Sequence, residues 1–218
     1  MVLSAAGNVA NAEVIADDNA TTNALVGITG VSDDDIPNII DPDGNDNGGN
    51  TGHAGQFTID AVPNFDFGST SISGDTITLE KTTKSAIQVS DRRSVGSGWK
   101  LDVKLGDFNN VDSTKTGKEA KLKGVSMKLV IIGDLVPELG NTNIAPDTTP
   151  IEISSGGSSA TLMSAASDTE DVTGIGRGSW MGRFSDGIAE TKTSLFVPGG
   201  NYEGQYSADL VWTLSQTL

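Results

Sequence analysis

From Gln56 onward the hydrophobic positions recur with a period of two. In "QFTIDAV" (56–62), Phe57, Ile59 and Ala61 fall on one side, with Thr58 and Asp60 on the other. "GWKLDVKL" (98–105) alternates without a fault, Trp99, Leu101, Val103 and Leu105 against Lys100, Asp102 and Lys104. "VSMKLVII" (125–132), "SLFV" (194–197) and "YSADLVWTL" (206–214) are further β-rich runs bounded by Gly, Pro and Asn. In the last run Tyr206, Ala208, Leu210, Trp212 and Leu214 make one apolar row, with Ser207, Asp209 and Thr213 opposite. Successive strand side chains project to opposite faces, so each run predicts a strand with one face on a core. Helical periodicity is missing; "TGKEAKLKG" (116–124) has room for one turn or two. Strands separated by turn signals, without helical crossovers, predict an all-β chain: an antiparallel β-sandwich or barrel-like domain.

Ahead of this pattern the period disappears. Residues 13–54 are rich in Asp, Asn, Gly and Pro, centred on "SDDDIPNIIDPDGNDNGGNTGHAG", and read as an extended acidic tail or linker. The β domain is placed at 55–218. Charge sharpens the division: all 14 basic residues lie between Lys81 and Lys192, whereas thirteen of the 29 acidic residues precede Lys81. So one-signed a segment repels itself and lacks the apolar surface to fold alone. The absence of a leading basic stripe argues against nucleic acid as a partner. No run of about 18 apolar residues occurs, so no membrane span is expected. Without cysteine the chain has no disulfides, thiolate metal site or thiol nucleophile. Residues 1–12 end in Ala10-Asn11-Ala12, the small-x-small pattern that signal peptidases cut, and are read as the remnant of a signal peptide, with a plain flexible terminus as the alternative. Asp43, Asn45, Asn47 and Gly48 imitate the start of a calcium loop, but Ala54 stands where a bidentate carboxylate is required; a solvated linker is the plainer reading.

Two of the three tryptophans open the same phrase, Trp99-Lys100-Leu101 and Trp212-Thr213-Leu214. In each, Trp and Leu share a strand face, and the two rows are suited to interleaving across one core. An indole buries roughly 150–250 Å², so a purely structural role suffices; stacking on sugar rings or peptide stems is the functional alternative. Two such phrases in order, flanked by "IDAVPNFDFG" (59–68), "VSDRRSVGSGWKLDV" (89–103), "GIGRGSW" ending at Trp180 and "LFVPGG" (195–200), resemble the WxL domain of Gram-positive surface proteins from Gln56 to Leu218. The resemblance implies an extracellular, non-catalytic protein attached non-covalently to the cell wall, with peptidoglycan as receptor. WxL-interacting surface proteins and host matrix proteins are further implied partners. The alternative is an adhesin or assembly subunit held at the wall through a partner protein. Trp99, Leu101, Trp212 and Leu214 are the expected wall-binding determinants, as shape or as contact, supported by Asp91, Arg93 and Trp180. Cofactors are not implied.

Other features receive plainer readings. Lys115, Lys118, Lys121, Lys123 and Lys128 are the densest positive stretch, a solvated hairpin loop or a contact for anionic wall polymers. Asp91, with Arg92 and Arg93, is expected to form a carboxylate–guanidinium contact that pins the loop before Trp99. The single histidine, His53, sits in the acidic segment, which disfavours Ser-His-Asp chemistry and histidine metal sites. A glycosidase needs only two carboxylates, but nothing in the sequence sets a pair around a sugar-binding cleft.

Overall fold

The computed structural model describes residues 25–46, 48–185 and 192–217; the signal-peptide reading of residues 1–12 and Asn47 of the calcium-like loop lie outside them. The described chain is all-β, with one 3-10 turn at Gly117–Glu119 inside the lysine-rich stretch. A first sheet runs β1 (Gly49–Asn50), β2 (Phe57–Val62), β4 (Ala86–Asp91), β12 (Gly178–Arg183) and β8 (Val136–Pro137). A second runs β10 (Ile151–Ser154), β7 (Ser126–Leu129), β13 (Ser194–Val197) and β3 (Ile77–Glu80). A third runs β15 (Leu210–Gln216), β5 (Trp99–Leu105), β11 (Ala160–Ala165) and β9 (Asp147–Thr148). A two-stranded ribbon joins β14 (Tyr206–Ser207) to β6 (Asn109–Asn110), and every pairing of these strands is antiparallel. The first two sheets meet where Ile131 bridges Phe184.

One core serves all three sheets. It gathers Ile87, Val89 and Trp180 from the first, Met127, Leu129 and Leu195 from the second, and Trp99, Leu101, Val103 and Leu162 from the third. The alternation of "WKLDVKL" is realised residue by residue: Trp99, Leu101, Val103 and Leu105 are buried, while Lys100, Asp102 and Lys104 face outward. The "YSADLVWTL" run divides in two. Tyr206–Ser207 pair with β6, and the chain joins β5 only from Leu210. The cause is the length of the partner: β5 stops at Leu105, and Gly106 donates its N–H to the Asp209 carbonyl at 2.8 Å, closing the ladder.

The polar side of β2 is covered as well. Asp60 is 2% exposed and accepts hydrogen bonds from Thr58 Oγ1 at 2.6 Å, Gln88 Nε2 at 2.9 Å and Ser90 Oγ at 2.5 Å. The acidic segment provides much of the cover. Gln88 is bound by the Asn38 carbonyl and the Ile40 N–H, both at 2.8 Å, and Asn45 brackets the Ala86 backbone. Asp41 pairs with Arg183 at 2.8 Å, and β1 lines the edge of β2. Asn38, Ile40, Asp41, Asn45 and β1 are thus held by hydrogen bonds to the first sheet, which is how a segment poor in apolar residues becomes ordered.

Burial pushes the Asp60 carboxyl above its ordinary value of 3.8, outweighing the three hydrogen bonds and the nearby Arg92 charge. An acid whose folded value is raised holds its proton longer in the folded state, so stability falls as pH rises from 3.8 through the raised value. Asp60→Asn, which can still meet all three neighbours, should be more stable than the parent at neutral pH and lose that advantage below about pH 4. Urea midpoints across pH check this; parallel curves for the two proteins would contradict it.

Candidate functional site

The two Trp-x-Leu phrases lie on adjacent strands. β5 and β15 pair over their full length, with Leu101 opposite Leu214, Trp212 opposite Val103 and Gln216 opposite Trp99. Ladder bonds fall at Asp209 and Thr217, whose partners are Gly106 and Gly98. The leucine pair therefore occupies a non-hydrogen-bonded position, where side chains approach most closely. The antiparallel direction sends the indoles to opposite ends of this pair. At one end Trp99 is fully buried and donates its indole N–H to the Gly176 carbonyl at 3.2 Å. Gly176 has φ +66°, and a Cβ there would meet Ala165 and stand 2.8 Å from Trp99 Nε1, so the slot tolerates only glycine. Trp212, at the other end, is half-buried.

A guanidinium clamp closes the Trp99 end. Arg93 binds Asp91 through two parallel bonds, Nε to Oδ1 and Nη2 to Oδ2, each 2.8 Å. Its Nη1 donates to Gln216 Oε1 at 2.9 Å, its Cζ lies 3.9 Å from the Phe57 ring centroid, and Arg177 donates to its carbonyl at 2.8 Å. One side chain thereby ties β2 and β4 of the first sheet to the residue of β15 that faces Trp99. Arg92 takes no part in it: its Nη2 donates to the Asp35 and Gly55 carbonyls, fastening the acidic segment. Trp180, 3% exposed, donates its indole N–H to the Arg177 carbonyl at 2.9 Å.

At the Trp212 end the edge strands of the second and third sheets, β3 and β15, stand on either side of a cleft of about 1390 Å³. Its floor is core: Leu105, Met127, Leu195 and Val197. Phe65, Phe67, Phe108, Tyr202, Tyr206 and Trp212 line it, six of the eleven aromatic residues in the chain. Phe184 braces the group from behind, 6.1 Å from Trp212 and edge-on to Phe65 at 5.0 Å, and Phe65 stacks on Phe67 at 6.3 Å. Asn64, Asn201 and Gln205 add amides and Asp66, Asp75 and Asp209 add carboxylates; among the described residues no Lys, Arg or His lines the cleft.

Among the residues singled out from sequence, Trp99, Leu101, Asp91 and Trp180 are buried, Leu214 is half-buried in the seam, and Trp212 alone lines the cleft. The other cleft aromatics, Phe65, Phe67, Phe108, Tyr202 and Tyr206, are not among the wall-binding determinants expected from sequence, although Tyr206 belongs to the apolar row of Trp212 and "NFDFG" alternates aromatic and polar residues after Pro63. Lys115 and Lys121 pair with Glu119 and Asp107, at 3.4 and 3.1 Å, so the lysine-rich stretch is partly neutralised. Asn45 commits its carboxamide to Ala86, and among the described residues no three His, Asp or Glu side chains converge on a metal position. No described helix is long and apolar enough to cross a membrane.

The recess of this all-β module, lined by aromatics, amides and carboxylates, is its candidate binding site. The chain belongs to the WxL domain family, described as surface cell wall-binding, whose family model matches residues 15–217. The match begins well ahead of Gln56 and includes the acidic segment laid on the first sheet. Membership makes this a Gram-positive surface protein associated with the cell wall and binding to it. Comparison with curated proteins and with solved structures returned no match.

Proposed function

We propose that this is a secreted, non-catalytic protein that attaches non-covalently to peptidoglycan, and that the cleft beside Trp212 receives the wall polymer. The observation that carries the reading is the lining. Aromatic faces take the C–H faces of sugar rings, and amide and carboxylate groups around them bind hydroxyls and acetamido groups. Three carboxylates without a basic partner also suit the ammonium groups of peptide stems and repel anionic phosphate polymers. Trp99, Leu101 and Leu214 act in this reading through the shape of the seam, and Asp91, Arg93 and Trp180 by holding it.

The non-catalytic part rests on where the buried acids lie. A glycosidase acid is raised by an apolar surrounding at the scissile bond. Here Asp60 faces Gln88 and Ser90 in the first sheet, and Asp91 is paired with Arg93; neither lines the cleft.

Purified protein should co-sediment with protein-free peptidoglycan. Trp212→Ala, and Tyr202→Ala on the exposed rim, should each weaken retention about tenfold or more, as loss of a central or rim aromatic does in a stacking site. Trp99 and Trp180 are shielded, so wall fragments should protect Trp212 alone from a soluble fluorescence quencher. Undiminished retention of both variants would move the contact elsewhere. Retention that begins only when another surface protein is added would favour the indirect attachment instead.

A further inference from the structure

A row of polar side chains crosses the first sheet beneath the acidic segment. Thr58 of β2 stands opposite Ser90 of β4, Ser90 stands opposite Ser179 of β12, and Glu138, next to β8, donates its N–H to the Ser179 carbonyl. Directly opposed residues share one face of a sheet, and Asp60, at the register shift of β2, joins them there. The contacts run Thr58 Oγ1 to Asp60 Oδ1 at 2.6 Å, Asp60 Oδ2 to Ser90 Oγ at 2.5 Å, Ser90 Oγ to Ser179 Oγ at 2.7 Å and Ser179 Oγ to Glu138 Oε2 at 3.0 Å.

These are the separations of O–H···O hydrogen bonds, and each needs a hydrogen between its two oxygens. A hydroxyl supplies one, and an ionised carboxylate supplies none. Four contacts among three hydroxyls and two carboxylates are therefore one hydrogen short while both acids are ionised. The shortfall falls on Ser90, which lies within bonding distance of both Asp60 and Ser179 and has a single hydrogen to give. Gln88 reaches Asp60 with its own amide hydrogen and leaves the shortfall unchanged. Neither serine hydroxyl meets a further partner among the described residues.

We propose that a carboxyl proton on Asp60 closes this row, so that Asp60 donates to Ser90, Ser90 to Ser179 and Ser179 to the Glu138 carboxyl group. The bond that an ionised Asp60 receives from Ser90 then runs the other way. Asp60 is the end that keeps the proton, because it is sealed, whereas Glu138 is half-exposed and stays in touch with water. Burial acts on Asp60 in the same direction, against the charge of Arg92. The acids of the segment above are engaged elsewhere: Asp33 by Gln56, Asp35 by the Ser32 N–H, Asp41 by Arg183 and Asp46 by the Lys84 N–H. Asp34, Asp43 and His53 are exposed.

The row is thus a clasp set by one proton. It is closed while Asp60 is protonated, and as pH rises through the raised Asp60 value it parts between Ser90 and Ser179. The change reaches the acidic segment, because Gln88 bonds Asp60 on one side and the Asn38 carbonyl and Ile40 N–H on the other.

Carbon-13 NMR of the Asp60 carboxyl in the full chain, followed across pH, tests this. The parent midpoint should lie above 3.8. S179A removes the competitor for the Ser90 hydrogen, which then belongs to the Asp60 carboxylate. The midpoint should fall by about one pH unit, the worth of one hydrogen bond to a charged group. Burial alone demands the opposite sign, because removing a hydroxyl makes the site more apolar. E138Q, at a half-exposed position that leaves the core untouched, should lower the midpoint as well, since its amide supplies the missing hydrogen from the other end. Once S179A has cut the row, E138Q should add nothing. In the parent the Ile40 amide signal should titrate together with the Asp60 carboxyl. A midpoint that rises or stays in S179A, effects of the two substitutions that add, or an Ile40 signal indifferent to Asp60 would each overturn the inference.

Discussion

Trp99→Ala is expected to remove about 3–5 kcal/mol of stability, the usual cost of deleting a large aromatic from a close-packed core. Trp99 has no exposed surface and packs in a slot bounded by Ala165 and Gly176, with its N–H bonded to the Gly176 carbonyl. The slot cannot collapse, because β5 is held on both sides, by β11 and by β15. Against a domain stability of ~5–15 kcal/mol the loss is severe. It corresponds to a drop of roughly 6–20 °C in melting temperature for a chain of this size. Trp99→Phe should recover part of it, and Gly176→Ala should reproduce much of it from the opposite wall. Trp212→Ala, at a half-buried site, should cost distinctly less. Calorimetry of the four variants checks the order; a Trp99→Ala protein melting within a few degrees of the parent would rule out the slot as the anchor of the fold.

Arg93→Ala should cost a comparable 3–5 kcal/mol, by another mechanism. Asp91 is 2% exposed, and its two oxygens are held by the Arg93 fork. Removing the guanidinium leaves a buried carboxylate without its counter-charge, which is far more damaging than replacing both partners. The loss also detaches Gln216 and the Phe57 ring, so the first sheet separates from the end of β15. Arg93→Lys should rescue little, since a single ammonium cannot bond both oxygens, reach Gln216 and lie flat on the ring. Asp91→Asn in the Arg93→Ala background should recover part of the stability. Denaturant titrations of the single and double variants give the coupling energy directly. Independent, additive effects would show that the pair is incidental.

Both variants address the core, and that part of the protein was legible in the chain. Trp99, Leu101, Val103 and Leu105 alternate with polar residues, and a period of two leaves one choice of face once a core exists. The repeated phrase marks two strands of matched character, and the structure sets their leucines, Leu101 and Leu214, opposite one another. Where the pattern misled, tertiary partners were responsible. "YSADLVWTL" reads as one strand but serves two sheets, because β5 ends before Tyr206 is reached. Asp60 reads as a solvated position but lies under Gln88, Ser90 and Thr58. The acidic segment reads as an extended tail or linker, and no local pattern announces that the backbone of its Asn38 and Ile40 satisfies a buried glutamine.

Local pattern alone determined the class of fold, the inward face of β5 and the kinship of the two Trp-x-Leu phrases, because these depend on neighbours one or two residues apart. Which indole is sealed and which lines a cleft, and which arginine grips Asp91, depend on groups far apart in the chain. Gly176 lies 77 positions from Trp99 and Gln216 lies 123 from Arg93. No period in the sequence encodes such distances, because only the closing of three sheets on one core brings those groups together.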